Sequence, residues 1–149
     1  MRRRKLYGSL AFICLLLIVG VSLVWTTTRL PKASVLINGE RVNVDIATTE
    51  ASRQQGLSGR QSIGPNNGML FIFESTGRPG IWMKDMRFAI DIVWLDDTWL
   101  VVDSTKNAAP ASYPEIFETK MDARYVLELP AGWLDRHNVK LLDHVLLIP

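Results

Sequence analysis

The chain has 149 residues, with 17 basic and 15 acidic side chains, two histidines and a single cysteine. That length holds one domain of ordinary size, and one cysteine excludes a disulfide framework or a thiolate zinc site. Four of the 17 basic residues form the run Arg2-Arg3-Arg4-Lys5, leaving 13 against 15 acidic ones, so the remainder lacks the basic stripe that a nucleic-acid surface needs.

The basic run is followed by apolar residues from Leu6 to Trp25 with no charge among them. About 20 helical residues at ~1.5 Å each reach ~30 Å, the thickness of a bilayer's hydrocarbon core. The arginine cluster is expected to stay on the cytoplasmic side and send the rest outward. Residues 1–25 therefore read as a single transmembrane signal anchor in a bacterial inner membrane, with the domain on the periplasmic or extracytoplasmic side. The alternative is secretion after cleavage of a signal peptide, for which Ser22-Leu23-Val24-Trp25 offers no site of the A-x-A type. Cys14 lies within the apolar run as a small filler, which leaves the exported part without a thiol.

Residues 26–32 form a polar, proline-ended tether, and the domain is expected over 33–149. Val35-Leu36-Ile37, then Asn38-Gly39, then alternating Val42, Val44 and Ile46 is a hairpin signal, because Asn-Gly takes the positive φ values of a tight turn. Thr48 or Thr49 can cap a short helix from Glu50 to about Gln55 that ends at Gly56. Residues 59–68 are turn-rich. Met69 to Phe73 and Gly80 to Met83 read as strands separated by a turn at Ser75 to Pro79. Ile90 to Leu95 and Trp99 to Val102 form a second hairpin around Asp96-Asp97-Thr98. Residues 107–119 carry two prolines and little periodicity, a loop suited to covering a site. Tyr125 to Leu129 is a strand, Trp133 to His137 a helical turn, and Val145 to Ile148 a closing strand. The fold class is mainly β, a β-rich α+β domain built as a small antiparallel barrel or curled sheet with short helices.

Two acids fall inside apolar strands. Alternation puts Ile90, Ile92 and Trp94 on one face of their strand and Asp91, Val93 and Leu95 on the other, while Glu128 shares a face with Val126. A buried carboxylate without a partner costs several kcal/mol, so each needs a cation, hydrogen-bond donors or a raised pKa. Arg60, Lys84, Arg87 and Arg124 are the available cations. The plain reading is structural ion pairing. The functional reading is a polar cleft in which Arg60, Trp82, Lys84, Asp91 and Glu128 bind a ligand, or in which Asp91 and Glu128 act as the carboxylate pair of a glycoside hydrolase.

Trp82, Met83 and Met86 could supply indole and thioether donors to Cu(I), whereas methionines more commonly fill cores, and no metal is expected. His137 and His144 lack a metalloprotease pattern, Gly56-Leu57-Ser58-Gly59 falls one residue short of a nucleophile elbow, and Gly77-Arg78-Pro79-Gly80 lacks the lysine of a phosphate loop. No cofactor motif is present.

The ordered set Gly56-Leu57-Ser58 with Arg60, Gly68-Met69-Leu70-Phe71, Trp82-Met83-Lys84-Asp85-Met86, Ile90-Asp91-Ile92 and Tyr125-Val126-Leu127-Glu128-Leu129 with Gly132 resembles the DUF192 family, also called UPF0127. The resemblance covers about Ala33 to Pro149. It implies a small β-rich domain, commonly exported or membrane-tethered, of no established biochemical function. The family usually has methionine where this chain has Ser58, asparagine at Asp85, proline-leucine at Ala89-Ile90, and glycine at Leu142. The charge at Asp85 is expected to pair with Lys84 or to alter a ligand site.

Three functional classes follow. The first is a tethered module binding a small polar ligand or envelope glycan, with Trp82 stacking on it. The second is an envelope carbohydrate hydrolase. The third is a structural partner of another membrane protein, using apolar surface near Trp94 or Trp99.

Overall fold

The computed structural model describes residues 29–148. The expected anchor at residues 1–25 lies outside the described residues, as do residues 26–28 of the tether. Nine strands are described: β1 (Lys32–Ile37), β2 (Glu40–Ala47), β3 (Asn67–Gly77), β4 (Ile81–Trp82), β5 (Ile90–Leu95), β6 (Val101–Ala108), β7 (Ile116–Phe117), β8 (Ala123–Pro130) and β9 (Val145–Ile148). Two short helices, α1 (Glu50–Gln55) and α2 (Trp133–Arg136), join them.

Local chemistry accounts for the elements. Asn38 and Gly39 adopt φ of 50° and 82°, closing the β1–β2 hairpin as the Asn-Gly pair predicts. Thr49 caps α1 by accepting from the Ser52 amide, and Gly56 ends the helix at φ 48°. The Asp96 carboxylate accepts from the Thr98 and Leu100 amides, which shapes the turn between β5 and β6.

Seven strands form one sheet in the order β6-β5-β8-β3-β2-β1-β9. All neighbours are antiparallel except β2 and β3, which are joined through α1 and the following loop in the crossover that parallel pairing requires. The sheet curls into a half-barrel whose edges meet at the Leu100–His144 bridge, reinforced by the Val145 amide on the Trp99 carbonyl. The concave face holds one core of Val35, Val44, Leu70, Val93, Leu127 and Leu129, with Trp133 and Leu134 of α2 packed into it. The convex face carries a second core of Met69, Phe71, Ile92, Trp94 and Val126, which buries itself against Leu57, Ile81, Met83 and Phe117.

Three expectations need correction. β3 runs to Gly77, through the turn expected at Ser75, with a register shift between Ile72 and Gly77 that absorbs the irregularity. β6 continues to Ala108, well beyond Val102. Trp94 supplies no surface: it is fully buried and donates through Nε1 to the Pro79 carbonyl at 2.9 Å, while Trp99 stacks on Tyr125 at 4.0 Å.

Candidate functional site

The site is built on the convex face. In β8 the alternation that buries Tyr125, Leu127 and Leu129 in the concave core turns Val126 and Glu128 outward. Glu128 stands across from Met69 of β3 on one side and Ile92 of β5 on the other, both fully buried. The close approach of β3 is possible because residue 68 is glycine: a Cβ there would come within 2.5 Å of the Glu128 carbonyl oxygen.

The Glu128 side chain ends at the base of a cleft of about 400 Å³. One wall is α1 and the residues after it, Arg53, Leu57 and Ser58; the floor is Phe71 and Phe73 of β3; the other wall is the β4–β7 ribbon with Ile81, Trp82 and Ile116. Trp82 and Ile116 are cross-strand partners on that ribbon. From residues 107–119, Ile116 of β7 and Glu118 line this cleft.

Glu128 is 4% exposed, and its Oε2 has no hydrogen-bond partner. Burial pushes its carboxyl up to about 8, against the opposing pull of the Arg60 charge. Arg60 does not satisfy it, because its guanidinium is engaged with Asp45 at 2.8 Å. A buried acid with an unbonded oxygen, set in a cleft among aromatic and polar side chains, is the kind of feature that marks a functional site. A larger groove of about 590 Å³ is lined by Lys32, Asn43, Arg60 and Asn67, but its charges Arg60 and Asp45 pair with each other.

Asp91 is placed elsewhere. It is fully buried and faces away from the cleft. Its Oδ1 accepts from the amides of Asn107 at 2.8 Å and Gly132 at 3.1 Å, and its Oδ2 from that of Leu134 at 2.9 Å. The bulge between β5 and β6 turns Asn107, at φ 56°, toward it. Gly132 opens α2 without a side chain to cap it, so Asp91 caps that helix from another strand. The expected pairing of Asp91 with Glu128 as a carboxylate couple is therefore not formed.

Of the five expected ligand residues, the structure brings Trp82 and Glu128 into one cleft, with Arg60 acting on Glu128 through its charge. Lys84 is exposed, and its carbonyl accepts from the Ser58 hydroxyl at 2.8 Å. Asp85 does not pair with it among the described residues. Asp85 instead holds φ 54°, a conformation that asparagine and aspartate tolerate alike. For copper, Met83 lies in the convex core, whereas Met86 and Trp82 line the cleft. Sequence reasoning missed Arg53, Phe71, Phe73 and Glu118. The signal for the phenylalanines was present, since Met69, Phe71 and Phe73 alternate on the face that meets Glu128.

These features define a class: a small curled-sheet domain with a buried acid beneath an aromatic-walled cleft. The chain belongs to the DUF192 family, described as "Uncharacterized ACR", whose profile matches residues 33–147. It is 33% identical over 104 residues to a UPF0127 protein of Thermococcus sibiricus, a match covering 68% of this chain and 64% of that relative's length. A crystal structure from Sinorhizobium meliloti 1021, of a protein described provisionally as a transcription regulator, superposes with a TM-score of 0.77 at 30% identity, covering 80% of this chain and 96% of the other. A protein of unknown function from Novosphingobium aromaticivorans shares the fold with a TM-score of 0.72 at 24% identity, over 83% and 90% of the two chains.

Proposed function

We propose that this protein is a membrane-tethered, extracytoplasmic binding module whose cleft takes a small polar ligand or an envelope glycan. The reading rests on Glu128, whose unpartnered Oε2 lies at the base of a cleft with the half-exposed Trp82 at its rim. Burying such a group costs about 1–3 kcal/mol unless something bonds it, and a ligand polar group is the natural partner. Trp82 offers a flat apolar face on which a ring can stack. The tether is supported by the Arg2-Arg3-Arg4-Lys5 cluster before an uncharged apolar run.

The hydrolase reading is not favoured, because Asp91 is spent on three backbone amides on the opposite face. A regulator that reads DNA is not favoured either. The longest helix among the described residues, α1, has six residues, and the chain beyond its N-terminal basic run is not basic. A screen of the full chain in detergent micelles against muropeptides and oligosaccharides, by ligand-observed NMR, tests the proposal. Binding that disappears on Glu128→Gln or Trp82→Ala is the expected result; a uniformly silent screen sinks it.

A further inference from the structure

We infer that the ligand of this cleft carries a protonated amine, as an amino sugar does, and that the amine is received by Glu128 while the attached ring lies against Trp82. The inference rests on the binding-module reading and names its ligand class.

The cleft's charges point to a cation. Its lining contains three carboxylates, Glu50, Glu118 and Glu128, and one guanidinium, Arg53. Arg53 is not free to receive an anion. Its Nη1 donates to the Thr48 carbonyl at 2.6 Å and the Ile72 carbonyl at 3.1 Å, its Nη2 lies 3.7 Å from Glu50, and its guanidinium stacks over Phe73 at 5.1 Å. What is left unengaged is the Glu128 oxygen at the base and the half-exposed face of Trp82, with Phe73 already covered by Arg53 and Phe71 buried in the floor. Aromatic faces and a carboxylate together attract an ammonium group, through the ring quadrupoles and through a charge-assisted hydrogen bond.

Burial holds Glu128 as the neutral acid, with its carboxyl at about 8. The charge that acts on it is Arg60 from the loop after α1, itself paired with Asp45, while Arg53 and Glu50 from α1 and Glu118 after β7 line the same cleft. The residues that β3 and β5 pack into this core, among them Met69, Phe71, Phe73, Ile92 and Trp94, carry no charge. An arriving ammonium stabilises the carboxylate, so Glu128 gives up its proton to solvent as the amine docks and the neutral site becomes an ion pair. At a pH below the amine's own pKa, where the free ligand is already an ammonium and takes up no proton itself, binding thus releases close to one proton per ligand.

The experiment is titration calorimetry of the full chain in detergent micelles with glucosamine oligomers and their N-acetylated counterparts, at a mildly acidic pH below the amines' own pKa and in two buffers of different ionisation enthalpy. The expected result is a preference of about tenfold or more for the free amine, proton release on binding, and loss of that preference in Glu128→Gln. The buffer comparison needs no variant, so it decides the matter even if Glu128→Gln misfolds. Equal affinity for both series with no proton released overturns the amine assignment while leaving a glycan-binding cleft intact. If neither series binds, but another oligosaccharide or muropeptide does, the amine assignment again fails alone. Silence from every probe removes both readings.

Discussion

Asp91 and Glu128 belong to neighbouring strands yet serve opposite faces of the same sheet. Leu129 is the cross-strand partner of Asp91, and Ile92 that of Glu128. One acid is therefore locked by three amides at the end of the concave core, and the other is left unsatisfied beneath the convex cleft. Their environments divide them into a structural residue and a chemical one.

Asp91→Asn tests that division. The amide keeps one acceptor oxygen but turns an NH₂ toward backbone donors, so about 2–4 kcal/mol of stability is lost. Chemical denaturation followed by far-UV circular dichroism should show the lower midpoint, while ligand affinity in the cleft stays unchanged in the folded protein. A stable variant that fails to bind would place Asp91 in the site after all.

Glu128 gives the opposite signature with pH. Its ordinary value is 4.5 and its folded value about 8, so between them the folded protein holds a proton that the unfolded chain has released. Stability therefore falls as pH rises through this window, and the penalty saturates above its upper end. At ~1.4 kcal/mol per tenfold change in proton affinity, the penalty is on the order of several kcal/mol. Glu128→Gln cannot ionise, so its midpoint should lose this slope and exceed that of the wild type at pH 9. Parallel profiles for the two proteins from pH 5 to 9 would show that Glu128 does not titrate in the window.

Much of this arrangement was legible in the residues. Asn38-Gly39 announced the first hairpin, Thr49 and Gly56 bounded α1, and alternation in β5 and β8 correctly separated Asp91 from Ile92 and grouped Glu128 with Val126. What could not be read was the register between β5 and β8, which are 27 residues apart from the end of one to the start of the other and pair in the sheet. A slip of one residue exchanges the two faces, so the same strands with shifted pairing would have put both acids in one cleft. The contributions of Arg53 and Glu118 were hidden for a related reason: they arrive from α1 and from beyond β7, elements too short to advertise which way they face.

Gly68 tests how tightly the cleft floor is built. A Cβ at that position meets the Glu128 carbonyl oxygen at 2.5 Å, and backbone in mid-sheet cannot swing aside as a side chain would. Gly68→Ala should force β3 and β8 apart and cost about 1–3 kcal/mol, with weakened ligand binding even where the fold persists. Hydrogen exchange should show the loss concentrated in the amides of β3 and β8. An unshifted denaturation midpoint would mean that the two strands separate without cost.

Trp82 separates function from stability most cleanly. It is 43% exposed, on a ribbon of two residues per strand, and its indole contributes to the cleft rim rather than to either core. Truncating a core tryptophan costs about 3–5 kcal/mol, but a half-exposed one that leaves no closed cavity should cost under about 1 kcal/mol. Trp82→Ala is therefore expected to unfold near the wild-type midpoint while losing about tenfold or more in affinity for a ring-bearing ligand, since stacking is worth roughly 1–3 kcal/mol. Trp82→Phe, which keeps a flat face, should recover part of that affinity. Full affinity in Trp82→Ala would show that the ring does not rest on this indole, and a collapse in stability would make Trp82 a structural plug of the convex core.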